Sequence, residues 1–146
     1  MRLPDWQSRL SAVLKAHAGQ PFEWGVNDCC LFVCDCLVAV AGIDPAAEFR
    51  GRYADESRAR ALVLAYCGGD IERLCETMAE RHGFLEIAPV YAQRGDFGLY
   101  RSPALGPTLG ICAGALFLFV GLHGYAGTVG MLPVASGEIS RAWRIG

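Results

Sequence analysis

The stretch Phe22-Glu23-Trp24-Gly25-Val26-Asn27-Asp28-Cys29-Cys30-Leu31-Phe32-Val33-Cys34-Asp35-Cys36 decides how the rest of the chain reads. Its first six residues carry no apolar period and read as a short loop. Asp28 then offers a carboxylate that can accept the free backbone N–H groups at the start of a helix. From Cys29 to Gly42 the run CCLFVCDCLVAVAG is apolar nearly all round except at Asp35, which predicts a central helix covered on both sides. A cysteine in the first turn of such a helix sits near roughly half a positive charge from the helix dipole, which favours the thiolate. Cys29 and Cys30 both qualify. Cys34, Cys36, Cys67, Cys75 and Cys112 read as small core residues.

Working outward, Leu3, Trp6, Leu10, Val13 and Leu14 recur at three- and four-residue spacing and predict a helix from Leu3 to His17, ended by Gly19-Gln20-Pro21. After the central helix comes a loop anchored by Phe49 and Tyr53. Asp55 can cap a third helix, ESRARALVLAYC, which stops at Gly68-Gly69. Asp70 can cap a fourth, with Ile71, Leu74, Cys75 and Met78 as its stripe and His82-Gly83 as its end. Beyond residue 83 the pattern changes to short β-type runs bounded by Gly and Pro: FLEIAPVYA, DFGLYRS, TLGICAG, ALFLFVG, YAGTVGMLP and AWRIG. Helices followed by strands predict an α+β fold. Residues 1–146 read as one domain, with a mainly helical half over 1–83 packed on a mainly strand half over 84–146.

Composition narrows the function classes. Of the 146 residues, 53% are hydrophobic and 19% charged, against a usual charged share of about 25%. Disorder is excluded, and so much apolar surface suggests burial against partners. The net charge of −2, with no basic run, argues against nucleic-acid binding. The apolar run Leu109–Val120 falls short of the roughly 20 residues a membrane span needs and reads as buried strands. No signal-peptide pattern opens the chain, so the expected starting compartment is the cytoplasm and the seven cysteines are expected reduced. No metal is expected. The spacing C-C-x3-C-x-C inside a helix aims its thiols in different directions, whereas metal motifs place C-x2-C pairs on turns. No other cofactor is expected either.

Phe22-x-Trp24-Gly25-x-Asn27-Asp28-Cys29, followed by Arg94-Gly95-Asp96-Phe97-Gly98-Leu99-Tyr100 and Leu109-Gly110-Ile111, resembles the NlpC-type branch of the papain-like cysteine peptidases. There a W-G-x-x-x-D-C pattern opens the nucleophile helix, a P-G-D turn starts the first core strand, and H-V-G-I-Y supplies the histidine. The chain is more similar still to a family of phage and prophage proteins with F-x-W-G-x-x-D-C near the start, F-R-G-x-Y after helix two and A-W-R-x-G at the end. The matching residues are Phe49-Arg50-Gly51-Arg52-Tyr53 and Ala142-Trp143-Arg144-Ile145-Gly146. The resemblance implies a papain-like fold with Cys29 at the nucleophile position. It also implies a place in tail-gene clusters, where other phages carry an NlpC-type tail-tip peptidase.

One departure decides the functional expectation. The family's histidine falls on Thr108, whose hydroxyl cannot act as a base near pH 7. The leading expectation is therefore a structural or assembly component of a phage or prophage tail tip, built on a degenerate peptidase fold. It would be made in the bacterial cytoplasm, carried on the virion tail tip, and partnered by other tail-tip and hub proteins without entering a membrane. One alternative is an active cysteine hydrolase of peptidoglycan stem peptides, with Cys29 as nucleophile and His123 as substitute base. Another is a module that binds a peptide or partner without cutting it. A structural subunit predicts a cleft filled by Trp24 or other side chains, and a binding module predicts an open cleft with Cys29 exposed. His17 and His82 read as solvated helix-end residues. Trp24 and Gly25 are expected to shape the loop entering helix two, and Asp96 after Gly95 to bend a turn. Arg50 and Arg144 are expected to pair with carboxylates or hold the C-terminal strand, to which Trp143 belongs.

Overall fold

A computed structural model describes residues 1–103, 106–121 and 130–146. The helical half comprises α1 (Trp6–Ala18), α2 (Cys29–Ala41), α3 (Glu56–Cys67) and α4 (Ile71–His82). The three expected capping carboxylates each accept backbone N–H groups: Asp28 from Leu31, Asp55 from Arg58, and Asp70 from Glu72 and Arg73. Each of α2, α3 and α4 closes on a glycine whose N–H bonds the carbonyl four residues back. α1 starts later than its apolar stripe suggests. The Leu3 N–H donates to the Val40 carbonyl at the end of α2, which keeps Leu3 outside the helix while tethering it to the core. α2 packs between α1 and the sheet, and its apolar circumference follows from that, with Phe32, Val33, Cys34, Cys36, Leu37 and Val40 all buried.

The strand half is an antiparallel sheet of β1 (Leu85–Ile87), β2 (Phe97–Ser102), β3 (Gly106–Cys112), β4 (Leu116–Val120), β5 (Met131–Ala135) and β6 (Arg141–Arg144). The described strands are ordered β1-β6-β2-β3-β4-β5, so the last strand of the chain inserts between the first two. The fold class is thus α+β, four helices on an antiparallel sheet. β1 is shorter than its apolar run suggests, because Pro89 lacks an N–H for the ladder and opens a short 3-10 turn over Pro89–Tyr91. Alternate residues divide between two faces. Leu99, Leu109, Ile111 and Trp143 join the main core with α2, and Trp143 stacks on Phe97 at 5.0 Å between ring centroids. Phe117, Phe119, Val134 and Ile139 form a smaller cluster on the other face. Gly98 and Gly110, opposite each other in β2 and β3, make room for those phenylalanines: a Cβ on Gly110 would lie 2.6 Å from the Phe119 ring.

Asp96, fully buried just ahead of β2, holds both chain ends. It accepts hydrogen bonds from Arg2 Nη2 at 2.7 Å, Ile145 N at 3.0 Å and Gln93 N at 2.9 Å. The Gln93 bond is the expected turn, and the other two were not legible from a Gly-Asp pair. Gly95 is favoured by its left-handed backbone, φ +96°, and a Cβ there would also crowd the Arg2 guanidinium and the Trp6 ring. Among the described residues no helix is long and apolar enough to cross a membrane.

Candidate functional site

The loop between α1 and α2 delivers Cys29 to the floor of a pocket. Asp28 organises it: buried at 1% exposure, its Oδ1 caps α2 through Leu31 N, while its Oδ2 accepts from Gly25 N at 2.9 Å and the Tyr53 hydroxyl at 2.5 Å. Gly25 has φ +79°, and the Tyr53 carbonyl occupies the space a Cβ would need, so the position excludes other residues on both counts. Trp24, packed edge-on against Phe22 at 4.8 Å, forms one wall. Ala59, Val63 and Leu64 of α3, Ile71 of α4, and Pro107 and Thr108 of β3 line much of the rest, with Gly69 and the charged residues Arg60 and Asp70, around a cavity of about 280 Å³. The cleft is not filled by Trp24, as a purely structural subunit would have it. Nor does it expose Cys29, which is only 8% accessible.

Charge is disfavoured at the Cys29 sulfur. Burial, reinforced by the negative charge of Asp28, pushes its pKa up to about 12, and the Thr108 hydroxyl and the Leu109 backbone offset only part of that rise. The helix dipole alone argues for a lowered pKa; desolvation overrides it here. Cys30 is pushed up as well, first by its contact with the Cys34 thiol and then by burial. Thr108 does fall beside Cys29, where the peptidase pattern would put a histidine. Its Oγ1 lies near enough to the sulfur to favour charge there, yet it is buried with no hydrogen-bond partner of proper geometry. A threonine hydroxyl cannot take the thiol proton near neutral pH. No histidine lines the pocket among the described residues, and His123 lies outside them. Nor do three His, Cys, Asp or Glu side chains converge among the described residues as metal ligands.

The histidine that reasoning from sequence misjudged is His17. It is buried at 8% exposure, not solvated, because it occupies the next position of the α1 stripe after Leu10 and Leu14. Its Nδ1 meets Asn27 Oδ1 at 2.7 Å and its Nε2 meets Asp35 Oδ2 at 2.9 Å. The Asp35 carboxylate holds the His17 pKa up, with Asn27 adding to the effect and burial opposing it. His82 stays half-buried beside Phe84. Arg50 pairs with Asp35 at 2.7 Å and Asp44 at 2.9 Å. Arg144 donates to the Tyr91 carbonyl, bracing the turn after β1.

No curated protein matches the sequence. Among solved structures the fold is similar to one described as the "NlpC/p60 domain of peptidoglycan hydrolase SagA". The TM-score is 0.55 at 15% identity, over 95% of this chain and 98% of that one. At that identity the likeness establishes the NlpC-like, papain-like fold and nothing of the activity. The family profile described as "Domain of unknown function (DUF6950)" matches residues 1–145, so the chain belongs to the DUF6950 family.

Proposed function

We propose that this chain is a non-hydrolytic assembly component of a phage or prophage tail tip, using a peptidase-like cleft to hold a neighbouring protein. The observation that carries the non-hydrolytic part is the pairing at the pocket floor: a buried thiol with its pKa pushed up to about 12, beside a threonine where a peptidase needs its base. The cavity of about 280 Å³ left open beside it favours gripping over mere scaffolding. Its walls are mostly apolar, which suits a protruding apolar group of a partner protein. The tail-tip setting rests on the sequence resemblance through Phe49–Tyr53 and Ala142–Gly146. On this reading the chain is made in the bacterial cytoplasm and leaves with the particle.

The test has two arms. Purified protein incubated with peptidoglycan sacculi is expected to release no stem peptides, and the wild type and Cys29→Ala are expected to be indistinguishable. Cys29-dependent release would overturn the reading in favour of a hydrolase. Mass spectrometry of purified particles is expected to find the chain together with tail-tip proteins. Finding it in infected or induced cells but never with tail proteins, in particles or in assembly intermediates, would remove the tail assignment.

A further inference from the structure

The His17 cluster constrains its own protonation. Asn27 Nδ2 donates to two backbone carbonyls, of Gln20 at 3.1 Å and Pro21 at 2.9 Å. Carbonyls only accept, so the amide orientation is set and Asn27 Oδ1 must face His17 Nδ1, which therefore carries a proton. On the other side of the ring, Asp35 is kept ionised by Arg50, 2.7 Å from its second oxygen, so it too only accepts and Nε2 carries a proton. Two acceptors on two ring nitrogens require an imidazolium.

The groups that face the ring come from three directions. Asp35 and the Phe32 ring face it from α2, and Asn27 faces it from the loop. Arg50 and Asp44, from the segment after α2, border the same surface depression as His17 and Asp35. Arg50 is shared between the Asp35 and Asp44 carboxylates, so the charged groups around the ring sum to a negative charge that favours the imidazolium. Nε2 keeps its proton against the carboxylate, so Nδ1 is the site of loss. Its lone pair would then oppose Asn27 Oδ1. Flipping the amide brings no relief, because Oδ1 would then point at the Gln20 and Pro21 carbonyls.

That amide closes the loop carrying the pocket wall. The Gln20 N–H bonds the His17 carbonyl, and Asn27 and Glu23 pair through their backbones. Trp24 lies within the closed turn, and Asp28 and Cys29 follow it directly. We propose that His17 is a proton-operated positioning residue for the Cys29 pocket: as imidazolium it clamps residues 19–28 shut, and loss of its Nδ1 proton loosens the segment that holds Trp24. The proposal rests on the reading of that pocket as a binding cleft. Because the carboxylate holds the folded His17 pKa above its usual value near 6.5, the clamp is intact below that value and releases as pH rises through the raised one.

The test follows His17 by NMR of histidine-labelled protein, with His82→Gln and His123→Gln assigning the other two signals, alongside hydrogen exchange of residues 19–28 from pH 5 to 9. The expected result is a His17 midpoint above the ordinary histidine value near 6.5, with both ring nitrogens protonated below it. Exchange protection of the loop, corrected for intrinsic rates, should fall by up to about tenfold per pH unit above that midpoint, while the core of α2 is unchanged. Asp35→Asn should move the midpoint of both signals down together, which a merely structural histidine would not do. His17→Gln should give weak, pH-independent loop protection; should that variant fail to fold, the wild-type and Asp35→Asn curves still decide. A His17 midpoint at or below 6.5, or loop protection that ignores the titration, would overturn the proposal. Peptidoglycan cleavage would instead sink the binding-cleft reading and leave the titration standing.

Discussion

Two buried ionisable groups sit at the two ends of one ten-residue loop, and their environments drive them in opposite directions. Cys29 enters the core beside the Asp28 carboxylate, so burial and that negative charge push its pKa up to about 12 and favour the neutral thiol. His17 is equally little exposed but borders a surface depression, and a carboxylate and an amide oxygen meet its two nitrogens, so its pKa is raised and the charged form is favoured. Burial by itself does not decide whether a group is ionised; the partners that burial brings along do. A peptidase of this fold needs the reverse arrangement, with the charged pair at the thiol. Here the ion pair lies at His17, at the other end of the loop.

The sharpest way to break that contrast is to give Cys29 a partner. Thr108→His should bring the thiol back toward the ordinary cysteine range near 8.5. Alkylation of Cys29 at pH 7.5, read by peptide mass spectrometry, should then rise by about a hundredfold or more. If Cys29 does not react faster with a histidine beside it, burial and not the missing partner governs its reactivity.

Next in size is the residue that joins the two ends. Asp28→Ala removes the α2 cap and leaves the Gly25 N–H and the Tyr53 hydroxyl without their acceptor. A loss of about 3 kcal/mol is expected in urea unfolding, against a smaller loss for Asp28→Asn, which keeps one acceptor oxygen.

Removing the charge at the other end costs less. Asp35 is a third exposed, so after discounting for solvent Asp35→Ala should cost about 1 kcal/mol at pH 6. The sign with pH is specific. His17 has a raised folded pKa, so its contribution is full below about 6.5 and fades as pH climbs through the folded value. Asp35 has a lowered one, because hydrogen bonds from His17 and Arg50 outweigh the opposing effect of burial; its contribution is present above the usual carboxylate range and fades as pH falls through the folded value. Stability measured across pH should therefore show a plateau between the two that Asp35→Ala flattens. A plateau unchanged by that substitution would mean the pair contributes nothing.

The smallest expected effect is at Cys29 itself. Cys29→Ser should change stability by less than about 1 kcal/mol. In the unmodified protein, the half-buried Cys67 should react with iodoacetamide at pH 8 well before Cys29 does. Cys29 reacting first would reverse the electrostatic picture of the pocket.

Much of the frame was legible. Helix caps at Asp28, Asp55 and Asp70 are local, because a side chain reaches N–H groups two or three residues on. α2 was readable as central because a helix apolar all round has nowhere else to go. At the site, Trp24 as a wall and Thr108 in the histidine's place were readable from motif order, while the empty space between them was not. His17 was half legible: its place on the α1 stripe announces burial, but nothing near it in sequence announces Asp35, eighteen residues on.

By itself, then, the sequence determined the elements, their ends and the residue types offered to the site, since these depend on spacing within a few residues. Tertiary structure alone decided three things: which carboxylate met which cation, that Asp96 would hold both chain ends through Arg2 and Ile145, and that burial would push the Cys29 pKa up while a carboxylate raised that of His17. Ionisation depends on solvent removed and on partners a few ångströms away, and chain separation carries no record of either.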